Sequence, residues 1–152
     1  MKKINLLLTA LIIILQSCIN DDNDCNKLCF SPPESFRIEI VDKTSGENLF
    51  TNGTYESINI KITDILNNNK SVEFTFISEN NLNLIQIGSI GWKTEIVNLK
   101  IDISNKHIFD FYVDAKRKSE NCCSFTQYNE ISITQSEFEL DTQTGIYKIL
   151  VE

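Results

Sequence analysis

The sequence predicts an all-β domain built as an antiparallel β-sandwich, with a small β-barrel as the alternative. Three observations carry this. From residue 36 onward, apolar residues recur with a period of two rather than 3.6, the pattern of half-buried strands. The apolar positions are mostly Ile, Val and Phe, side chains that suit a pleated surface. Asn, Gly and Ser pairs punctuate the runs where strands must reverse. No segment keeps a helical stripe for three turns, and residues 64–69 have room for one short turn of helix at most.

The elements follow in order. Phe36, Ile38 and Ile40 alternate with Arg37 and Glu39. Ile58, Ile60 and Ile62 alternate with Asn59 and Lys61. Val72, Phe74 and Phe76 alternate with Glu73 and Thr75, and Leu99, Ile101 and Ile103 with Lys100 and Asp102. Phe109, Phe111 and Val113 form the next strand, then Ile131 and Ile133, Phe138 and Leu140, and the closing run 146–151. Reversals are expected at Ser45-Gly46, Asn52-Gly53, residues 67–69, Asn80-Asn81, Gly88, Gly91, Ser104-Asn105 and Thr144-Gly145. Asn52-Gly53, between residues 49–51 and 54–55, is the strongest hairpin signal. The stretch Asp42-Lys43-Thr44-Ser45-Gly46-Glu47-Asn48-Leu49 resembles the first hairpin of prealbumin-like and immunoglobulin-like surface domains, which implies a sandwich and no particular activity.

Upstream of these strands, Ser31-Pro32-Pro33-Glu34 is a stiff extended lead-in, because proline fixes φ and restricts its predecessor. The folded domain is therefore expected over 35–152. Residues 1–17 have the layout of a secretory signal: a basic start at Lys2-Lys3, an apolar run from Ile4 to Leu15, and Ser17 before Cys18. Twelve helical residues reach about 18 Å, too short for a bilayer core of about 30 Å. With Cys18 directly after Leu15-Gln16-Ser17, the segment resembles a bacterial lipoprotein signal, although Gln16 departs from the small residue usual there. That resemblance implies removal of 1–17, a diacylglyceryl group and a further acyl chain, such as palmitate, on Cys18, and a lipidated flexible tether over 18–34. Two or more chains anchor stably, at about 0.8 kcal/mol per buried CH₂. Asp21-Asp22-Asn23-Asp24 resembles the surface-export signal of Bacteroidetes-type lipoproteins and implies an outer-membrane, surface-exposed location.

Losing Lys2 and Lys3 leaves 12 basic against 21 acidic residues, a net charge of −9. The largest basic run is Lys116-Arg117-Lys118, and a polyanion with no larger cationic surface is a poor nucleic-acid binder. Once Cys18 carries lipid, Cys25, Cys29, Cys122 and Cys123 remain. An even number in an exported chain reads as disulfides. A Cys122–Cys123 bridge strains its own peptide. The other pairings tie the tether to residues 122–123 and close a loop of more than ninety residues. Adjacent cysteines and a missing C-x₂-C spacing argue against zinc.

Catalytic chemistry finds little support. His107 is the only histidine, at a strand start in register with Phe109 and Phe111, and it reads as a half-covered strand-edge residue. No serine sits in a G-x-S-x-G elbow, and the glycines form no phosphate-binding pattern. Residues 21–24 lack the spacing of a calcium loop. No metal or cofactor is expected. One constellation remains: Trp92 after Gly88-Ser89-Ile90-Gly91, with Ile108 and Tyr112 on the strand face opposite Phe109 and Phe111. Such an apolar-aromatic patch stacks on sugars or docks proteins when exposed. The expectation is a non-catalytic surface or periplasmic lipoprotein that acts by binding, or as an accessory subunit of an envelope complex. Its partners are the membrane through the anchor, and another envelope protein or a glycan. A carbohydrate-binding module is the first rival and a hydrolase the second.

Overall fold

The computed structural model describes residues 29–120 and 122–152. Among them are eleven strands, two single turns of 3₁₀ helix and no α-helix. The strands are β1 (Cys29–Phe30), β2 (Phe36–Asp42), β3 (Ile60–Asp64), β4 (Lys70–Ser71), β5 (Thr75–Ile77), β6 (Leu84–Ile87), β7 (Glu95–Ile103), β8 (Lys106–Glu120), β9 (Cys123–Thr134), β10 (Glu137–Asp141) and β11 (Ile146–Val151). One sheet has the order β1-β9-β8-β7-β3-β4, the other β10-β11-β2-β6-β5. Neither closes into a barrel, so the fold is a sandwich. It is not wholly antiparallel, because β1 pairs parallel with β9 and β2 parallel with β11.

The core is the meeting of two inner faces. Ile38, Ile40, Ile85, Ile87 and Ile149 from one sheet oppose Ile62, Leu99, Ile101, Ile103, Phe109, Phe111 and Val113 from the other, and all are fully buried. Each such side chain contributes about 1.5–3 kcal/mol relative to exposure. Phe36 crosses between the sheets, edge-on to Phe111 at 5.0 Å and to Tyr128 at 5.3 Å. These centroid distances fall in the range that aromatic quadrupoles favour.

Several expected elements differ from their outcome, each for a local reason. Residues 72–76 do not form one strand. The chain changes sheets there: β4 pairs with β3, and β5 pairs with β6 in the opposite sheet. Ile58 does not join the alternation of Ile60 and Ile62; it lies in a 3₁₀ turn, 86% exposed. β6 carries no alternating pattern, because Leu84, Ile85 and Ile87 are all buried. Asn52-Gly53 forms no hairpin. Asn48 captures the segment instead: its side-chain oxygen accepts the amides of Phe50 and Thr51, and its carbonyl accepts those of Thr51 and Asn52. At Ser104-Asn105 the two-residue reversal does form, with φ of 50° and 64°, as a type I′ turn requires. The sheet also reaches further toward the N-terminus than the prolines imply, since Cys29–Phe30 is already paired.

Candidate binding surface

The β8–β9 hairpin projects from the sandwich. β7 begins at Glu95, opposite Ala115, while β8 runs on past that point through Lys116–Glu120 paired with β9. Five further residues make an arm of roughly 16 Å. β1 lies against this arm, with Cys29 in register with Cys123 and bonded to it as a disulfide, Cα to Cα 4.4 Å. The pairing continues as Ser31 N–H donates to the Ser124 carbonyl at 2.8 Å. It stops at Pro32 and Pro33, which have no N–H to give. Cys122, at the turn with φ of 65°, is disulfide-bonded as well. Cys18 and Cys25 lie outside the described residues.

At the base of the arm, the loop from Gly88 to Thr94 presents Trp92. Ile90 is buried and anchors the loop. Gly91 adopts φ of +93°, and a Cβ there would stand 2.8 Å from the Thr126 side chain, so only glycine fits. The Gly91 carbonyl accepts the Thr126 hydroxyl at 2.7 Å, and its N–H donates to Glu95 Oε1 at 2.9 Å. Trp92 Nε1 donates to the Gly88 carbonyl at 2.9 Å, which fixes the indole with its polar edge satisfied. Trp92 nevertheless remains 54% exposed, and Phe30, stacked on it at 6.1 Å, is 61% exposed. Arg117 closes the group. Its guanidinium lies over the Phe30 ring at 4.9 Å and donates to the Ser31 carbonyl and the Thr126 hydroxyl, both at 2.9 Å. Beside it Tyr128 accepts the Glu34 amide, and burial pushes its phenol pKa up. Two aromatic rings are thus held exposed by strand pairing, a disulfide and hydrogen bonds.

Trp92 also forms a wall of a cleft of about 440 Å³, whose rim carries Lys70, Glu73, Lys93 and Glu95. Asp64, 7% exposed, sits at its floor and accepts the amides of Leu66 and Asn98. An aromatic wall beside paired polar groups suits ligands with one apolar face and a polar rim.

The other two members of the expected patch do not join Trp92. Ile108 is 3% exposed, a correction with a clear cause. A β-bulge separates the pair Ile101–Phe109 from Asp102–His107, so Ile108 is the extra residue and turns inward beside Phe109. Tyr112 is partly exposed on the outer face of β8, opposite Asn98 and Ser132. Phe30 and Arg117 were not among the expected site residues. The signal available for Phe30 was its place next to Cys29, since a bridge to residues 122–123 carries it to the hairpin; for Arg117 it was the lone basic run.

The same bulge moves His107 out of register with Phe109 and Phe111. His107 faces outward and its Nε2 lies 3.0 Å from Asp110 Oδ1. It borders a cleft of about 650 Å³ at the opposite end of β8, which also holds Ser136. The Ser136 hydroxyl donates to the Ile108 carbonyl at 2.6 Å, and among the described residues no nucleophile is hydrogen-bonded to the His–Asp pair. Among the described residues no cluster of three or more His, Cys, Asp or Glu is placed to hold a metal ion. No protein-family model, curated protein or solved structure matches the chain.

Proposed function

We propose that this protein is a lipid-anchored, outer-membrane lipoprotein that acts by binding, without catalysis, as an accessory component of the envelope. The observation that supports binding most is the Phe30–Trp92 pair: two large rings, each more than half exposed, stacked on one another and immobilised side by side on a net-acidic domain. Ordering has already been met by the fold, so a partner gains aromatic contact without paying to fix the rings. Anchoring rests on Cys18 and its place after the apolar run.

The test has two parts. Cells fed a tagged fatty acid should label the wild type and leave Cys18→Ala unlabelled; equal labelling removes the anchor from the proposal. Trp92→Ala should cost about 1–2 kcal/mol of stability, because the ring is partly covered and its Nε1 hydrogen-bonded, and leave the fold intact, while weakening retention of whatever envelope component the wild type captures at least tenfold. Unchanged capture would move the binding site elsewhere. The cleft beside Trp92 favours a glycan as the second reading, and titration with cell-surface oligosaccharides, followed through the sole tryptophan, checks it.

A further inference from the structure

We infer that the Phe30–Trp92 end of the domain seats on the lipid headgroup layer of the membrane that holds the anchor. This names the partner of the surface proposed above and rests on the lipid anchor at Cys18. The first support is reach. Ten residues lie between Cys18 and Cys29, eleven Cα–Cα steps, so even a fully extended chain holds Cys29 within about 40 Å of the lipid. Cys29 is bonded to Cys123 on the projecting arm, so the arm is the part of the domain the tether keeps nearest the bilayer.

The second support is chemistry. Tryptophan settles at the membrane–water boundary, where an apolar body meets a polar rim, and arginine snorkels to it. Here Trp92 and Phe30 present the apolar surface and Arg117 lies over Phe30. The third is charge. The mature chain carries 12 basic against 21 acidic residues, yet this end, with the cleft beside Trp92, balances Lys70, Lys93, Lys116, Arg117 and Lys118 against Glu34, Asp64, Glu73, Glu95 and Glu120. Locally the repulsion from anionic headgroups is gone, and the attraction is interfacial rather than Coulombic. The outcome is a domain oriented by two points, lipid and aromatic pair, with the His107 cleft at the far end of β8 turned away from the membrane.

The experiment uses the full lipidated protein, reconstituted through its anchor into vesicles of phosphatidylethanolamine and phosphatidylglycerol, with and without lipopolysaccharide. A fraction of the lipid is brominated near the top of the acyl chains. Trp92 is the sole tryptophan, so its emission reports the seat directly. We expect emission to fall at least twofold with brominated lipid and quenching by aqueous acrylamide to weaken at least twofold. Phe30→Ser, checked for native circular dichroism, should lose about half of the lipid quenching. If the protein floats with the vesicles but bromine leaves Trp92 unquenched and acrylamide reaches it as in water, the seat is overturned and the anchor stands. If Trp92 is shielded only by soluble oligosaccharide, or only in intact envelopes, the surface belongs to a glycan or a protein and the inference also fails. If the protein does not float with the vesicles, the anchoring reading fails and the seat with it.

Discussion

Two aspartates do the same local work at opposite corners of one sheet. Asp42 and Asp141 each begin a five-residue reversal that ends in glycine, Asp42 to Gly46 and Asp141 to Gly145. The Asp42 carboxylate accepts the Ser45 and Thr44 amides and the Ser45 hydroxyl; that of Asp141 accepts the Thr144 hydroxyl and the Gln143 and Thr144 amides. In each case the glycine amide donates to the aspartate's own carbonyl, and the glycine adopts positive φ. Hydrogen bonds to the ionised form hold both carboxyls below the usual carboxylate range, led by the Ser45 amide at Asp42 and by the Thr144 hydroxyl at Asp141. Because the folded pKa is depressed, the stabilisation is present above the unfolded value of about 3.9 and is lost as pH falls through the folded value. The expectation is that Asp42→Ala and Asp141→Ala each lower Tm at pH 7. The gap to wild type should narrow as pH falls through the depressed folded values, because the wild type then loses the same charge-assisted bonds. A gap that persists undiminished at pH 2 would assign the effect to backbone propensity instead of charge.

At the scale of elements, β8 organises the molecule. It pairs along its length with β9, carries the bulge that buries Ile108, and places His107 at one end and Arg117 at the other. The arm beyond Ala115 has no third strand beside it until β1 arrives, so β1 and the Cys29–Cys123 disulfide complete it. Closing a loop with a sequence separation of 94 contributes at most about 4–5 kcal/mol in the chain-entropy picture. An unreduced digest of protein from the native envelope should contain the Cys29 peptide joined to the Cys123 peptide. Cys122 is also bonded, and Cys25 is the cysteine left to join it once Cys18 carries lipid, so the same linked species should include Cys25. Free thiols at all four positions would refute this. Cys29→Ser should cost about 2–4 kcal/mol of stability and shift Trp92 emission, because Phe30 loses its fixed place. The other end of β8 makes the opposite expectation. His107 is partly exposed and bonded only to Asp110 among the described residues, so His107→Ala should cost about 0.5–1 kcal/mol and leave capture by the protein intact. Loss of function at normal abundance and fold would bring a histidine-dependent chemistry to first place.

At the scale of the whole molecule, the first long strand and the last lie side by side. β2 and β11 pair in parallel through six residues, from Arg37–Ile146 to Asp42–Val151. Lys43, bonded to Glu137 and Glu152, fastens the same corner, and those carboxylates hold its ammonium pKa above the usual value. The two chain ends of the domain are therefore part of one sheet, and the arm with β1 stands apart from that closure.

The sequence by itself determined the class of fold and most of its strands. Alternation is set by which face of a strand meets the core, and that is written in consecutive residues: 36–40, 99–103 and 109–113 could be read directly. Turns whose φ demands are local, at Gly46, Ser104-Asn105 and Gly145, were equally legible. So was a bridge from the N-terminal cysteines to residues 122–123, because an even number of cysteines beyond the signal-like segment leaves few pairings. What the tertiary structure alone decided were matters that depend on a neighbour far away in sequence. The change of sheet between β4 and β5, the capture of residues 50–52 by Asn48, and the parallel pairing of β2 with β11 are of this kind. So is the bulge at Ile108, which appears only when β7 is laid beside β8 and one strand carries an extra residue. The proposed binding surface belongs with them. Phe30, Trp92 and Arg117 come from three distant segments, and no local period links them; the disulfide, the Gly91–Thr126 contact and the length of β8 bring them together.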